Sequence, residues 1–165
     1  LRPINKPALF IGKLLSSMLM AWLLVIVPLL LLFVVCMVQS GDIGESAQSL
    51  GHILLAATCG VAAYTAIFGA LGAAFASSLL ASIIYFVASE MVIASLPVLE
   101  LLSIRYHLRT AAGFSAAVRL GILDRMVLEE PIVFDWWVGA IVSIVVALLA
   151  IGAGAYIFKD RQYHV

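Results

Sequence analysis

From His52 to Pro97 the chain is almost unbroken apolar sequence, about 46 residues long. As one helix it would measure roughly 69 Å at 1.5 Å per residue. A bilayer's hydrocarbon core is about 30 Å thick, so this stretch must turn back once if it lies in a membrane. The natural break is Phe75 to Ser78, at the small and polar Ala76-Ser77-Ser78. This predicts one span over 52–75 and a second over 78–99, joined by a tight turn.

Two further runs carry the same signature. The first, 14–38, is long enough to cross with some tilt and has Pro28 at its middle. Pro28 removes a backbone donor and predicts a kink. The last, 137–158, opens with Trp136 and Trp137, which suit an interfacial aromatic belt, and Asp135 is placed to cap it. The whole chain is 65% hydrophobic and 11% charged, whereas soluble domains are nearer half apolar and a quarter charged. The expected fold is all-α: a polytopic transmembrane helix bundle of four spans in one domain, with the lipid bilayer as its surroundings.

The connections follow from composition. Gln39 to Gly51 is polar and lacks Lys and Arg, with Gly41 and Gly44 as turn residues, and reads as an outer loop. Residues 100–136 form the longest connection, and a structureless loop of that length is uncommon. Leu101 to Leu123 alternates apolar and polar residues at helical spacing, predicting one or two short helices on or dipping into the outer face. Arg2, Lys6 and Lys13 stand at the start of the first span, where Pro3 and Pro7 make the segment read as a bent connector at the membrane surface, and Lys159 and Arg161 stand at the end of the last. Arg105, Arg109, Arg119 and Arg125 lie in the long loop, so charge counting leaves the orientation open.

Small residues recur at helical spacing. Ala62, Ala66, Ala70 and Ala74 form one stripe, Gly69, Ala73 and Ser77 a second, and Gly139, Ser143 and Ala147 a third. Such stripes let helices approach closely, within a bundle or across a dimer.

Glu90 is the one ionisable residue deep in an expected span. A charge there costs about 2.5–3.5 kcal/mol on insertion scales, which marks a candidate pathway or dimer-interface residue; a carboxyl group that reaches water or a partner helix is the plainer reading. Ser82, Tyr85 and Ser89 lie on one face nearby and could supply hydrogen bonds. In the outer loop, Arg105 and Arg109 are i, i+4 neighbours, and with Tyr106 and His107 they make a candidate outer gate. Arg105, His107, Arg109 and Arg119 could meet an anionic substrate or a lipid head group; a solvated interfacial face is the plainer reading.

Several chemistries find no support. Lys and Arg together number nine, as do Asp and Glu, which gives no electrostatic case for nucleic acid. His52, His107 and His164 lack metal-ligand spacing. Cys36 and Cys59 sit in apolar runs and read as small buried residues. No nucleophile arrangement or phosphate-binding Gly-x-x-x-x-Gly-Lys-[Ser/Thr] loop is present, so no catalytic residue or cofactor site is assigned.

Two stretches carry a family resemblance. Arg2-Pro3-Ile4-Asn5-Lys6, then Leu9 and Gly12-Lys13, resembles the cytoplasmic loop of ABC-2-type ABC transporter permeases. Ile84 to Glu90, then Leu96-Pro97 and Leu102-Ser103-Ile104-Arg105-Tyr106-His107-Leu108, resembles that family's aromatic-rich helix and the loop after it; Phe158-Lys159-Asp160-Arg161 is similar to its cytoplasmic tail. The resemblance implies a membrane subunit of an ATP-driven exporter, paired with a second permease chain and a separate ATPase subunit that carries ATP and Mg. It implies that Arg2, Pro3, Ile4, Asn5, Lys6, Gly12 and Lys13 form the loop beside the ATPase, that both ends of this segment are cytoplasmic, and that two membrane helices precede Leu1. It also implies a bacterial or archaeal inner membrane and a partly re-entrant outer region. The alternatives are a non-transporting membrane scaffold or assembly factor and, with Glu90 and Pro28 as support, an ion-coupled secondary transporter. The greasy spans suit lipids, peptides, drugs or glycans alike.

Overall fold

The computed structural model describes residues 6–40, 43–93, 96, 99–114 and 134–160. They form helices and short turns, with no strand among the described residues. Helix α1 is Lys6–Ser40, α2 is Ile43–Ala74 and α3 is Ser78–Phe86. A π-helical turn, Val87–Val92, continues α3 directly. After a 3₁₀ turn at Leu99–Leu102 come α4, Ile104–Ala111, and α5, Trp136–Asp160.

Three helices are long and apolar enough to cross a membrane, over Lys6–Val35, Ala47–Ala74 and Trp136–Asp160. This is compatible with an integral membrane protein. The segment expected to span 78–99 is shorter: its helical part is the apolar Ser78–Val92, about 22 Å long. The break before it falls at Phe75–Ser77, where the apolar run had to turn.

Other expectations need correction. Lys6 to Lys13 is helix, not a bent connector, because Pro7 sits in the first turn, where its missing donor is not needed. The helix continues past Pro28, so the proline expected to kink it does not end it. Ile43 to Gly51 is helix as well, so the polar connection after α1 is far shorter than 39–51. A helix carried past its apolar part satisfies its own backbone groups, so polar side chains there do not require a loop. In the long connection, the described residues hold the 3₁₀ turn Leu99–Leu102 and α4, Ile104–Ala111; the predicted 101–123 segment lies outside the described residues from 115 onward.

Small residues set the packing. Ala56, Cys59, Ala63, Ala66 and Ala73 are buried along α2, and Gly139, Ala140, Ser143, Ala147 and Gly154 along α5; Ala140 and Ala147 pack against the α2 residues, whereas Gly139 meets α4. The third predicted stripe is thus wholly buried, while the α2 stripe runs through Ala66 with Ala62, Ala70 and Ala74 only half-buried. Its burial is inside one chain. A Cβ on Gly154 would fall 2.6 Å from the Phe10 ring and 3.1 Å from the Ala70 backbone, so glycine is what lets α1, α2 and α5 meet there.

The contacts give each helix its direction. One cluster joins Ala56 and Cys59 to Ala111 and Ala140; a second joins Ala63 and Ala66 to Ile104 and Ala147. Helices α2 and α5 therefore run parallel, and α4 runs against both. Helix α1 also runs against α2, with Trp22 Nε1 donating to Thr58 Oγ1 at 3.2 Å and Leu14 beside Gly69. One end of the bundle holds Lys6, Ala74 and Asp160, and the other holds Ser40, Ile43 and Trp136. Ile104 packs at the level of Ala147, eleven residues into α5, so α4 starts roughly 16 Å below the Trp136 end.

Candidate functional site

The candidate site lies where the π turn meets the start of α4. An α-helical register would be regular through Val87–Val92; the wider π turn changes which side chains face inward. Glu90 comes out 5% exposed, between Val87 at 42% and Met91 at 63%. Such turns recur at functional sites.

Ser103 Oγ donates to Glu90 Oε2 at 2.7 Å, and the Arg105 backbone N–H reaches the same oxygen at 3.3 Å. Ser103 is the N-cap of α4, its hydroxyl also accepting from the Arg105 N–H at 3.1 Å. The carboxylate and the hydroxyl together answer the unpaired donors and positive end of the helix dipole at this terminus. Ser103 is fully buried, so this is a sealed cap. Glu90 therefore fastens α3 and its π turn to the first turn of α4.

One oxygen is left over. Among the described residues Glu90 Oε1 is buried without a full hydrogen bond. The Tyr64 hydroxyl of α2 lies beside the carboxylate and interacts with it. An unsatisfied buried carboxylate oxygen costs free energy on the order of 1–3 kcal/mol, and it is the outstanding polar feature of this interior.

The neighbours of Glu90 differ from those expected. Ser89 turns back to donate to the Tyr85 carbonyl at 2.8 Å. Tyr85 stacks edge-on to Phe68, ring centroids 6.4 Å apart, and Ser82 lines a separate cavity with Phe68 and Phe86. Thus Ser82 and Ser89 do not serve the carboxylate; Ser103, thirteen residues on, does. No spacing rule marks a partner that arrives only when the chain returns. The signal that could have found it is Ser103 itself, a cap residue just before Ile104-Arg105-Tyr106.

The residues expected at an outer gate occupy α4. Tyr106 is 2% exposed, with its ring edge-on to those of His107 and Phe134. His107 Nε2 meets the Leu101 carbonyl at 2.8 Å. A carbonyl only accepts, so Nε2 carries the proton in this contact. Arg105 and Arg109 are exposed and both line a cavity of about 520 Å³ between α2, the π turn and α4, with Tyr64 and Glu90 in its wall. Helix α4 is locked against α5 by Gly139, where a Cβ would fall on the His107 carbonyl and 2.9 Å from the Ala111 nitrogen.

The proposed ATPase-facing residues are only partly visible. Arg2, Pro3, Ile4 and Asn5 lie outside the described residues. Lys6 opens α1, and Gly12 and Lys13 lie within it. A Cβ on Gly12 would meet nothing within 4 Å, whereas Lys13 borders a cavity of about 500 Å³ with Phe10, Phe68 and Ser78. At the far end, Asp135 Oδ2 accepts from the Trp137 indole N–H at 3.2 Å, and the Trp136 ring lies edge-on to that of His52.

No protein-family model matches this chain, and no match is found among curated proteins or solved structures.

Proposed function

We propose that this chain is a membrane-embedded subunit of an ATP-driven exporter of the ABC-2 type, coupled to a separate ATPase chain and paired with a second permease chain. The observation that carries the reading is the α3–α4 region. A short apolar segment rises from the Lys6–Asp160 end, and α4 then begins deep in the bundle with its N-terminus sealed by Glu90 and Ser103. In a membrane this makes a fourth, incomplete crossing followed by a re-entrant helix. Irregular backbone is tolerated at depth where protein encloses it or where it lines a cavity. The motif resemblances at Arg2–Lys13 and Ile84–Leu108 support the same reading.

In this proposal the Lys6–Asp160 end faces the cytoplasm of a bacterial or archaeal cell. Arg2 to Lys13 lies beside the ATPase, which holds ATP and Mg. Closure of the ATPases rocks α1 against α2 and α5 and changes access around α4. Glu90 transmits that motion from α3 to α4, because it is bonded across the two.

The test is a pull-down of the full-length protein from mild detergent, assayed for an ATPase chain and ATP hydrolysis. Recovery of an ATPase, lost in Arg2→Glu/Lys6→Glu, supports the proposal. A protein that comes down alone and without hydrolysis in several detergents overturns it and leaves the membrane-scaffold reading.

One observation favours a second reading, an ion-coupled secondary transporter. A buried carboxylate at mid-depth, with one oxygen unpartnered among the described residues, is the kind of ionisable group that such proteins place on proton paths. Proton-driven flux lost in Glu90→Gln, with no ATPase partner, would select it.

A further inference from the structure

The cavity beside α4 has the shape and chemistry of a lipid site. Its volume, about 520 Å³, is in the range that holds an organic ligand. The wall from α2 is apolar and low, made by Ala56, Ala57 and Gly60, and Leu108 of α4 faces it. Arg105 and Arg109 stand one turn apart on the opposite wall, both exposed. Guanidinium groups one turn apart can hold a single phosphate by forked, charge-assisted hydrogen bonds.

Among the described residues, the acids nearby leave this pair available. Glu90 takes the backbone N–H of Arg105, not its guanidinium, and is itself buried. Glu100 shares a smaller cleft of about 140 Å³ with both arginines but does not line the larger cavity. Depth sharpens the point. The Thr110–Ala111 turn meets Gly139, about 5 Å into α5 from Trp136, and Arg105 lies one to two turns deeper. A cation that far below an aromatic belt needs an anion or a route to the interface. A phospholipid supplies both, placing its phosphate at Arg109 and Arg105 and its chain along the alanine wall.

We propose that the cavity bounded by α2, the π turn and α4 is a binding site for an anionic phospholipid drawn from the surrounding bilayer, with Arg105 and Arg109 as its phosphate partners. The Glu90–Ser103 cap acts as the positioning element, since it fixes the first turn of α4 and so the direction in which Arg105 projects. The site rests on the chain lying in a bilayer and does not depend on which transporter class it belongs to. An unaltered ATPase pull-down would therefore leave it standing or falling on its own test.

The experiment is native mass spectrometry of the full-length protein in detergent, titrated with phosphatidylglycerol, with phosphatidylcholine of the same chains, and with free glycerol 3-phosphate. The wild type is expected to retain phosphatidylglycerol saturably and in preference to the other two. Arg105→Gln/Arg109→Gln should weaken that binding roughly 30-fold, at about tenfold or less per lost cation. Arg105→Lys/Arg109→Lys keeps the charge and should retain the preference, which separates loss of the site from loss of the fold. Ala57→Phe fills the wall without touching a charge and should also abolish retention, whereas Lys13→Gln at the other end should not. Equal retention of both phospholipids, equal retention by the glutamine double variant, or glycerol phosphate binding as tightly as the lipid would each overturn the proposal.

Discussion

Helices α1 and α2 are both long, apolar and uninterrupted, yet they live in different surroundings. In its most apolar stretch α1 buries none of its residues, whereas α2 buries 28% of its own. The difference lies in side-chain size. Helix α1 presents Leu, Val and Met, with Leu24 at 75% exposed and Met20 at 66%. Helix α2 presents alanine and glycine, with Ala63 and Ala66 fully buried. Lipid tails are as apolar as leucine, so hydrophobicity does not sort these helices; close van der Waals contact between small residues does. What α1 does bury, Phe10 and Leu14, fills the gaps that Gly69 and Gly154 leave at one end.

This contrast can be broken most violently where backbones touch. Gly139→Val puts a Cβ onto the His107 carbonyl and should cost about 3 kcal/mol or more, read as loss of folded protein in detergent unfolding. Ala66→Leu, in the middle of the α2 stripe, should cost about 1–3 kcal/mol by overpacking. A neutral result at Gly139 would mean that α4 and α5 are not packed as described, and one at Ala66 that α2 and α5 are not. Ser103→Ala removes the hydroxyl that donates to Glu90 and caps α4; a loss of about 1–2 kcal/mol is expected, with faster amide exchange confined to α4. Unchanged exchange there would show the cap to be idle.

Matching changes on α1 should do little or the opposite. Gly12→Ala meets open space and should stabilise by up to about 1 kcal/mol through helix propensity. Leu24→Ala should stay within about 0.5 kcal/mol. A large loss in Leu24→Ala would reveal a protein neighbour on α1 where lipid is expected, and would move a packing surface onto that helix.

Much of the architecture was legible beforehand, for a physical reason. The apolar run from His52 to Pro97 was too long to be one span, and the small, polar Ala76-Ser77-Ser78 near its middle is where the helix breaks. Gly139, Ser143 and Ala147 recur at helical spacing and are buried. Length, period and residue size act locally, so they can be read from neighbours in the chain.

The candidate site was legible only as a question. Glu90 stood out because a charge in apolar sequence demands a partner, but nothing near it in sequence named Ser103 or the Arg105 backbone. Similarly, polar composition at Ile43 to Gly51 and the prolines near Lys6 read as loops, although both segments are helical. Composition states what a segment can tolerate, and helices tolerate polar residues beyond an apolar core. By itself the sequence determined that this chain is helical, apolar over membrane-length segments and obliged to accommodate one deep carboxylate. Tertiary structure alone decided that the carboxylate caps α4 and that two arginines are left facing a cavity. Those outcomes depend on where the chain returns after residue 93, and return is set by the packing of α4 against α2 and α5, not by any local period.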